Sequence, residues 1–202
     1  MITVSDRERL RQLARKHRIL TTRTVVEARI HRQTLTRMVR EGEIERIDRS
    51  LYRLPNQPIT EKHGLVCAAA AVPRGVICLI SALCFHDIGT QLPHEVWIAI
   101  DRRARLPRPS YPRLRVMRFG GKALTEGIQR VIIEGQPVHV YCVAKTLADV
   151  FKYRNKVGLD VALEALRDAW RARRFTMDEI CYYGRICRVE RVMQPYLEML
   201  VA

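Results

Sequence analysis

Leu35, Met38 and Val39 stand at offsets of three and four in the stretch HRQTLTRMVREGEIERIDRSLYRL, residues 31–54, so they share one face of a helix. At about 100° per residue, Gln33, Arg37 and Arg40 project from the opposite face, with Thr36 on its flank. Gly42 fits the left-handed residue that stops a helix. Beyond it, residues 43–47 and 51–54 alternate or cluster apolar side chains around Asp48, Arg49 and Ser50, which reads as two short strands and a turn. A short helix with an apolar inner face and a Gln/Thr/Arg outer face, followed by a basic hairpin, predicts a winged helix-turn-helix. In that arrangement the helix enters the major groove and the wing reaches the adjacent backbone.

The upstream pattern supplies the supporting helices. Residues 4–17 read as a first helix, with Ser5 as N-cap, Glu8 three residues on, and Leu10, Leu13 and Ala14 facing inward. Thr21 and Thr22 open a second short helix carrying Val25, Val26 and Ala28. Pro55 and Pro58 mark a linker, so the expected division is 1–55 and 56–202. In the second part, residues 62–72 read as an alanine-rich buried helix and 76–80 as a short apolar run. Ser81 is expected to cap a short helix through Phe85 and His86 that Gly89 ends. Strands are expected at 96–100, 114–119, 131–133 and 138–141. From Ala144 the period becomes helical: Leu147, Val150 and Phe151 share a face, and Val161, Leu163, Leu166 and Trp170 mark the next helix. Thr176 with Glu179 is a capping box, and the last helix is expected over 187–200. The expected class is α/β (α+β): an N-terminal winged helix-turn-helix, then a mixed α/β domain with a helical C-terminal end.

Composition changes this picture mainly through charge. At 48% hydrophobic and 28% charged residues the chain is a folded protein rather than a disordered one. A formal charge of +15 and a pI near 10.2 favour a polyanionic partner. Residues 1–55 hold 14 Lys and Arg against 7 acids, and residues 102–118 hold seven arginines and no acid, so the excess is local. In bidentate geometry arginine reads guanine edges and glutamine reads adenine. The candidate DNA contacts are therefore Arg32, Gln33, Thr36, Arg37 and Arg40 on the helix. On the wing, Arg46, Arg49 and Arg53 would mostly meet phosphate. The 102–118 segment reads as a second DNA contact, a contact to an acidic protein, or a solvated loop.

No run of eighteen apolar residues is present, and MITVSDRERL lacks the apolar core of a signal peptide, so a cytoplasmic protein is expected. Six cysteines without a C-x-x-C pair read as reduced thiols. Cys84, His86 and His94 lack a second pair at zinc spacing, so no metal and no cofactor is expected. The chain has no Gly-rich phosphate loop, no G-x-S-x-G and no H-E-x-x-H. A restriction-type nuclease with a winged-helix DNA-binding domain is the alternative. It would need clustered carboxylates for Mg²⁺, and only Glu95 and Asp101 stand near each other, with arginines following. Asp101 is expected to pair with those arginines, and His86 to make a structural hydrogen bond. Lys145 and Asp149 form an i, i+4 pair expected to stabilise a helix. No residue is assigned a catalytic role.

Three stretches together resemble the AbiEi-type antitoxins of bacterial abortive-infection toxin–antitoxin systems. They are residues 5–55, ending in Ser50-Leu51-Tyr52-Arg53-Leu54-Pro55; Ile80-Ser81-Ala82-Leu83 with His86, Leu92-Pro93 and the 96–100 strand; and Ala144-Lys145-Thr146-Leu147-Ala148-Asp149 with Ala162-Leu163-Glu164-Ala165-Leu166. The chain departs from that family in having Ser50 where glycine is usual in the wing turn, and Lys145 where arginine is usual. The resemblance implies a repressor that binds inverted repeats in its own promoter. It also implies that residues 56–202 counter a nucleotidyltransferase-like toxin. The oligomeric state is left open, single in solution or paired on DNA.

Overall fold

The computed structural model describes residues 5–201. The chain forms two compact units. The first comprises residues 1–73 with 107–114 and 131–138; the second comprises 74–106, 115–130 and 139–202.

In the first unit, α1 (Asp6–Lys16) begins where Ser5 Oγ accepts the Glu8 N–H at 3.3 Å. Val4, the expected helix start, lies outside the described residues. After β1 (Leu20–Thr21), α2 (Thr22–Glu27) opens with a reciprocal box between Thr21 and Thr24. Next come α3 (Arg32–Arg40), β2 (Glu45–Asp48) and β3 (Leu51–Arg53). The three strands form an antiparallel sheet in the order β1-β3-β2. β1 is too short to show periodicity and was not expected. Leu10, Ala14, Leu20, Val25, Ile30, Leu35, Met38 and Ile44 make one core, with α1 and α2 both packed on α3. Burying a side chain the size of Leu35 or Met38 stabilises this unit by about 1.5–3 kcal/mol each. α4 (His63–Ala71) then packs on β3.

The second unit contains β4 (Val76–Ile77), α5 (Leu79–Phe85), β5 (Val96–Asp101), β6 (Leu114–Phe119) and α6 (Lys122–Thr125). Strands β7 (Ile128–Ile133) and β8 (Gln136–Tyr141), whose residues 131–138 belong to the first unit, form a hairpin through Glu134 and Gly135, both at positive φ, as a tight two-residue turn requires. The sheet order is β6-β5-β4-β8-β7, with β4 antiparallel to β5 and parallel to β8. The helices that follow are α7 (Val143–Lys152), α8 (Arg154–Val157), α9 (Leu159–Arg171), α10 (Met177–Cys187) and α11 (Glu190–Val201). Every residue from Val143 to Phe151 is buried, because α7 is flanked by α5, α9 and α10.

Several local expectations are corrected. Ser81 does not cap α5; Cys78 is the N-cap, and the buried Ser81 Oγ accepts the Trp97 N–H at 2.9 Å. The helix ends at Phe85 with His86 as C-cap, close to the expected span, but the left-handed Asp87 rather than Gly89 makes the first turn out of it. The last helix does not start at Cys187; the left-handed Arg188 separates α10 from α11. Asp101 accepts the Arg103 backbone N–H at 2.8 Å, closing a turn rather than pairing with a guanidinium. Among the described residues, no helix is long and apolar enough to cross a membrane.

Candidate nucleic-acid interface

His31 sets the start of α3, its Nδ1 accepting the Gln33 N–H at 3.3 Å. The end is set by Gly42 at φ 75°. Its N–H donates to the Val39 carbonyl at 3.2 Å, and the Glu43 N–H donates to the Met38 carbonyl at 2.9 Å. This is the paired closure of a left-handed C-terminal stop, and it places Ile44 in the core directly after the helix. With Leu35 and Met38 buried, Arg32, Gln33, Thr36, Arg37 and Arg40 are all exposed. The Thr36 hydroxyl donates to the Arg32 carbonyl at 3.2 Å, so its proton is used within the helix.

The hairpin residues have more varied roles. Arg49 is exposed at the turn. Arg46 is exposed too, but its guanidinium folds back to donate to the carbonyls of Asp48 (3.1 Å) and Arg49 (3.0 Å). Arg53 is half-buried and pairs with Glu45 at 2.8 Å. The turn has no positive φ at Arg49 or Ser50, and a bulge lies between Arg46 and Asp48. Serine therefore satisfies a position where the resemblance led to an expectation of glycine. The Asp48 carboxylate accepts both the hydroxyl of Ser110 and, at 3.1 Å, its N–H. The hydroxyl contact leads in holding the Asp48 carboxyl below its ordinary pKa.

The acids of this region are spent elsewhere. Asp6 accepts from Arg9 (3.2 Å) and from the His31 N–H (3.1 Å), and Glu8 pairs with Arg11. Glu27 pairs with Arg23, and Glu41 and Glu43 with Arg7. Glu43 also takes Arg11 at 2.8 Å, which ties α1 to the end of α3. All seven acids of residues 1–55 are thus engaged away from the outer face of α3. Among the described residues, Arg32, Arg37 and Arg40 have no ion pair. The result is an uncompensated cationic helix face that also carries Gln33, a base-reading type, and Thr36.

One polar chain in this unit was not foreseen. His63 Nδ1 lies 2.9 Å from Glu134 Oε2, and His63 Nε2 lies 3.5 Å from Cys67 Sγ. Nδ1 thus faces the carboxylate and Nε2 the thiol, so the ring bridges Glu134 and Cys67. Thr60 donates to Glu134 through its hydroxyl at 2.5 Å and its N–H at 3.2 Å. Burial, then the Glu134 charge, pushes the Cys67 thiol up to about 12, so it is protonated at neutral pH and is not an activated nucleophile. Burial pushes Glu134 up as well, yet the Thr60 and His63 bonds outweigh it and leave its carboxyl below the ordinary value. His63 and Cys67 at i, i+4 were legible as one helix face; Glu134, 71 residues away, was not.

In the second unit His86 Nε2 meets the Tyr141 carbonyl at 2.7 Å. Lys145 donates to Asp149 at 2.5 Å with both side chains sealed from solvent. The six cysteines are free thiols. Among the described residues, no three His, Cys, Asp or Glu side chains gather as a metal-binding group.

Residues 8–55 match the family model described as transcriptional regulator, AbiEi antitoxin. The match runs from within α1 to just past β3 and takes in every candidate DNA contact. No curated protein matches the chain.

Proposed function

We propose, from the premise that residues 8–55 are an AbiEi-type antitoxin regulator module, that the chain is a sequence-specific DNA-binding repressor and antitoxin. The module is a winged helix-turn-helix in this reading. α3 enters the major groove, where Arg37, Arg40 and Gln33 address base edges and Arg32 and Thr36 address the flanking backbone. Arg49 carries the wing's phosphate contact. Arg46 shapes the wing turn, and Arg53 braces the wing against Glu45, so both act on DNA chiefly through the hairpin they hold. The observation that carries this reading is the unpaired arginine face of α3, in a region whose acids all have partners elsewhere.

Residues 56–202 form the toxin-countering part in this proposal, and the partner is a nucleotidyltransferase-like toxin encoded beside this chain. The protein acts in the cytoplasm without metal or cofactor and has no catalytic role. A footprint on the DNA upstream of its own gene tests the first half. Protection of an inverted repeat by the wild-type chain, abolished in Arg37→Ala/Arg40→Ala, is expected; identical footprints would defeat it. Co-expression with the neighbouring toxin tests the second half. Growth rescue that survives the double substitution is expected, because toxin countering is assigned to residues outside α3.

A further inference from the structure

The second unit holds a cationic feature that DNA reading by α3 does not use. A cleft of about 840 Å³ opens beside the start of α6, the end of α7 and the turn between α10 and α11. Six cations line it, namely Arg102, Arg118, Lys122, Lys152, Arg154 and Arg188, and no acid does. Among the described residues none of the six takes part in an ion pair. Two are oriented without being neutralised. Arg118 Nη1 donates to the carbonyls of Arg102 (2.6 Å) and Ala104 (3.0 Å), and Arg154 Nη1 donates to the Phe151 carbonyl at 3.0 Å. Gly120 keeps the wall thin, since a Cβ there would lie 3.2 Å from Arg102 Cδ. Phe119, Ile186, Val189 and Val192 supply an apolar wall beside the charges. Phe119 itself is fixed by stacking on Tyr153, with centroids 5.6 Å apart and planes 3° from parallel.

Like charges collected in one concavity repel each other, and mobile salt relieves this only partly over a screening length of about 8 Å. A multivalent anion seated among them replaces that repulsion with charge-assisted hydrogen bonds, and arginine forks match phosphate oxygens. The volume lies within the roughly 300–1,000 Å³ of small-ligand pockets. A duplex, in contrast, presents its phosphates on a convex rod.

We propose that this cleft binds a free polyphosphate ligand of the nucleotide class, with the phosphates on the six cations and the uncharged body against the apolar wall. The site shares no residue with α3, and the proposal does not depend on the DNA reading.

Calorimetric titration of the full chain with inorganic triphosphate and with ATP tests it. Both are expected to bind. Lys122→Gln/Lys152→Gln is expected to weaken each by about a hundredfold, because each lysine supplies a charge-assisted hydrogen bond to phosphate that glutamine replaces only with a neutral one. Among the described residues neither lysine side chain donates a hydrogen bond, and Lys152 Nζ only overlies the Tyr153 ring at 5.8 Å, so the variant's melting curve is expected to lie close to the wild type's and its weaker binding is then not unfolding. Arg37→Ala/Arg40→Ala is expected to bind triphosphate as the wild type does. Three results would overturn the proposal: no binding of either ligand, equal binding by the lysine variant, or displacement of triphosphate by equimolar sulfate. Displacement by a short duplex at equal phosphate concentration would also overturn it, because it makes the cleft a nucleic-acid contact.

Discussion

Lys145 and Asp149 are two opposite charges with essentially no solvent access, held 2.5 Å apart. Such a pair stabilises little as a whole, because desolvation offsets the attraction. Its environment is nonetheless fully committed: the Lys145 ammonium lies 4.1 Å above the Tyr141 ring, and Cys187 Sγ donates to Asp149 at 3.2 Å. Burial pushes the Asp149 carboxyl up, with Lys145 pulling the other way. Lys145→Met leaves a buried charge unpaired and is expected to cost about 3–5 kcal/mol in urea unfolding. Lys145→Met/Asp149→Leu is expected to regain most of that loss. A double variant as unstable as the single one would show that the pair itself, rather than the orphaned charge, sets the cost. Glu134 offers a test by pH. Its carboxyl sits below the ordinary 4.5, so its contribution is present above the unfolded pKa and is lost as pH falls through the folded one. Glu134→Gln is therefore expected to flatten the fall in stability on acidification below about pH 4.5 relative to wild type. Parallel acid limbs for the two proteins would show that Thr60 and His63 do not hold the charge.

Gly42 decides how α3 hands over to the hairpin. A Cβ at this position meets nothing within 4 Å, so the cost of Gly42→Ala is backbone alone, at φ 75°. A loss of about 1 kcal/mol is expected in denaturant unfolding, with weaker DNA binding because the wing leaves α3 at a different angle. An unchanged midpoint would mean that the stop tolerates a side chain. Elements with their own signals were legible in the sequence. The N-caps Ser5 and Thr176, the helix start at Thr21 and Thr22, the Gly42 stop and the inward stripe of Leu35 and Met38, with Val39 half-buried beside them, all stand as read. Elements shaped by distant neighbours were not. The two-residue β1 exists only because β3 pairs with it, and Ser81 is drawn inside by the Trp97 N–H. The turn at Arg188 is a left-handed residue without glycine to announce it. At the candidate interface, spacing gave the exposed face of α3 but not the internal bonds of Arg46 and Arg53. Those depend on which carbonyl or carboxylate the folded hairpin brings within reach.

On the scale of the whole molecule, a charge of +15 alone would make any polyanion stick. The structure gathers part of that excess on α3 in the first unit and part in a cleft of the second, and the acids of residues 1–55 are paired off away from α3's outer face. Phosphate contacts make binding fall steeply with salt, whereas base contacts make it depend on sequence. The most direct measurement is a fluorescence-anisotropy titration of a duplex from the chain's own upstream region against a scrambled duplex, at several salt concentrations, for wild type and Arg37→Ala/Arg40→Ala. Wild type is expected to prefer its own duplex with a steep salt slope. Each alanine is expected to cost about 1–3 kcal/mol of that preference while the scrambled duplex is bound nearly as before. If the double variant discriminates between the two duplexes as well as wild type does, α3 does not read DNA.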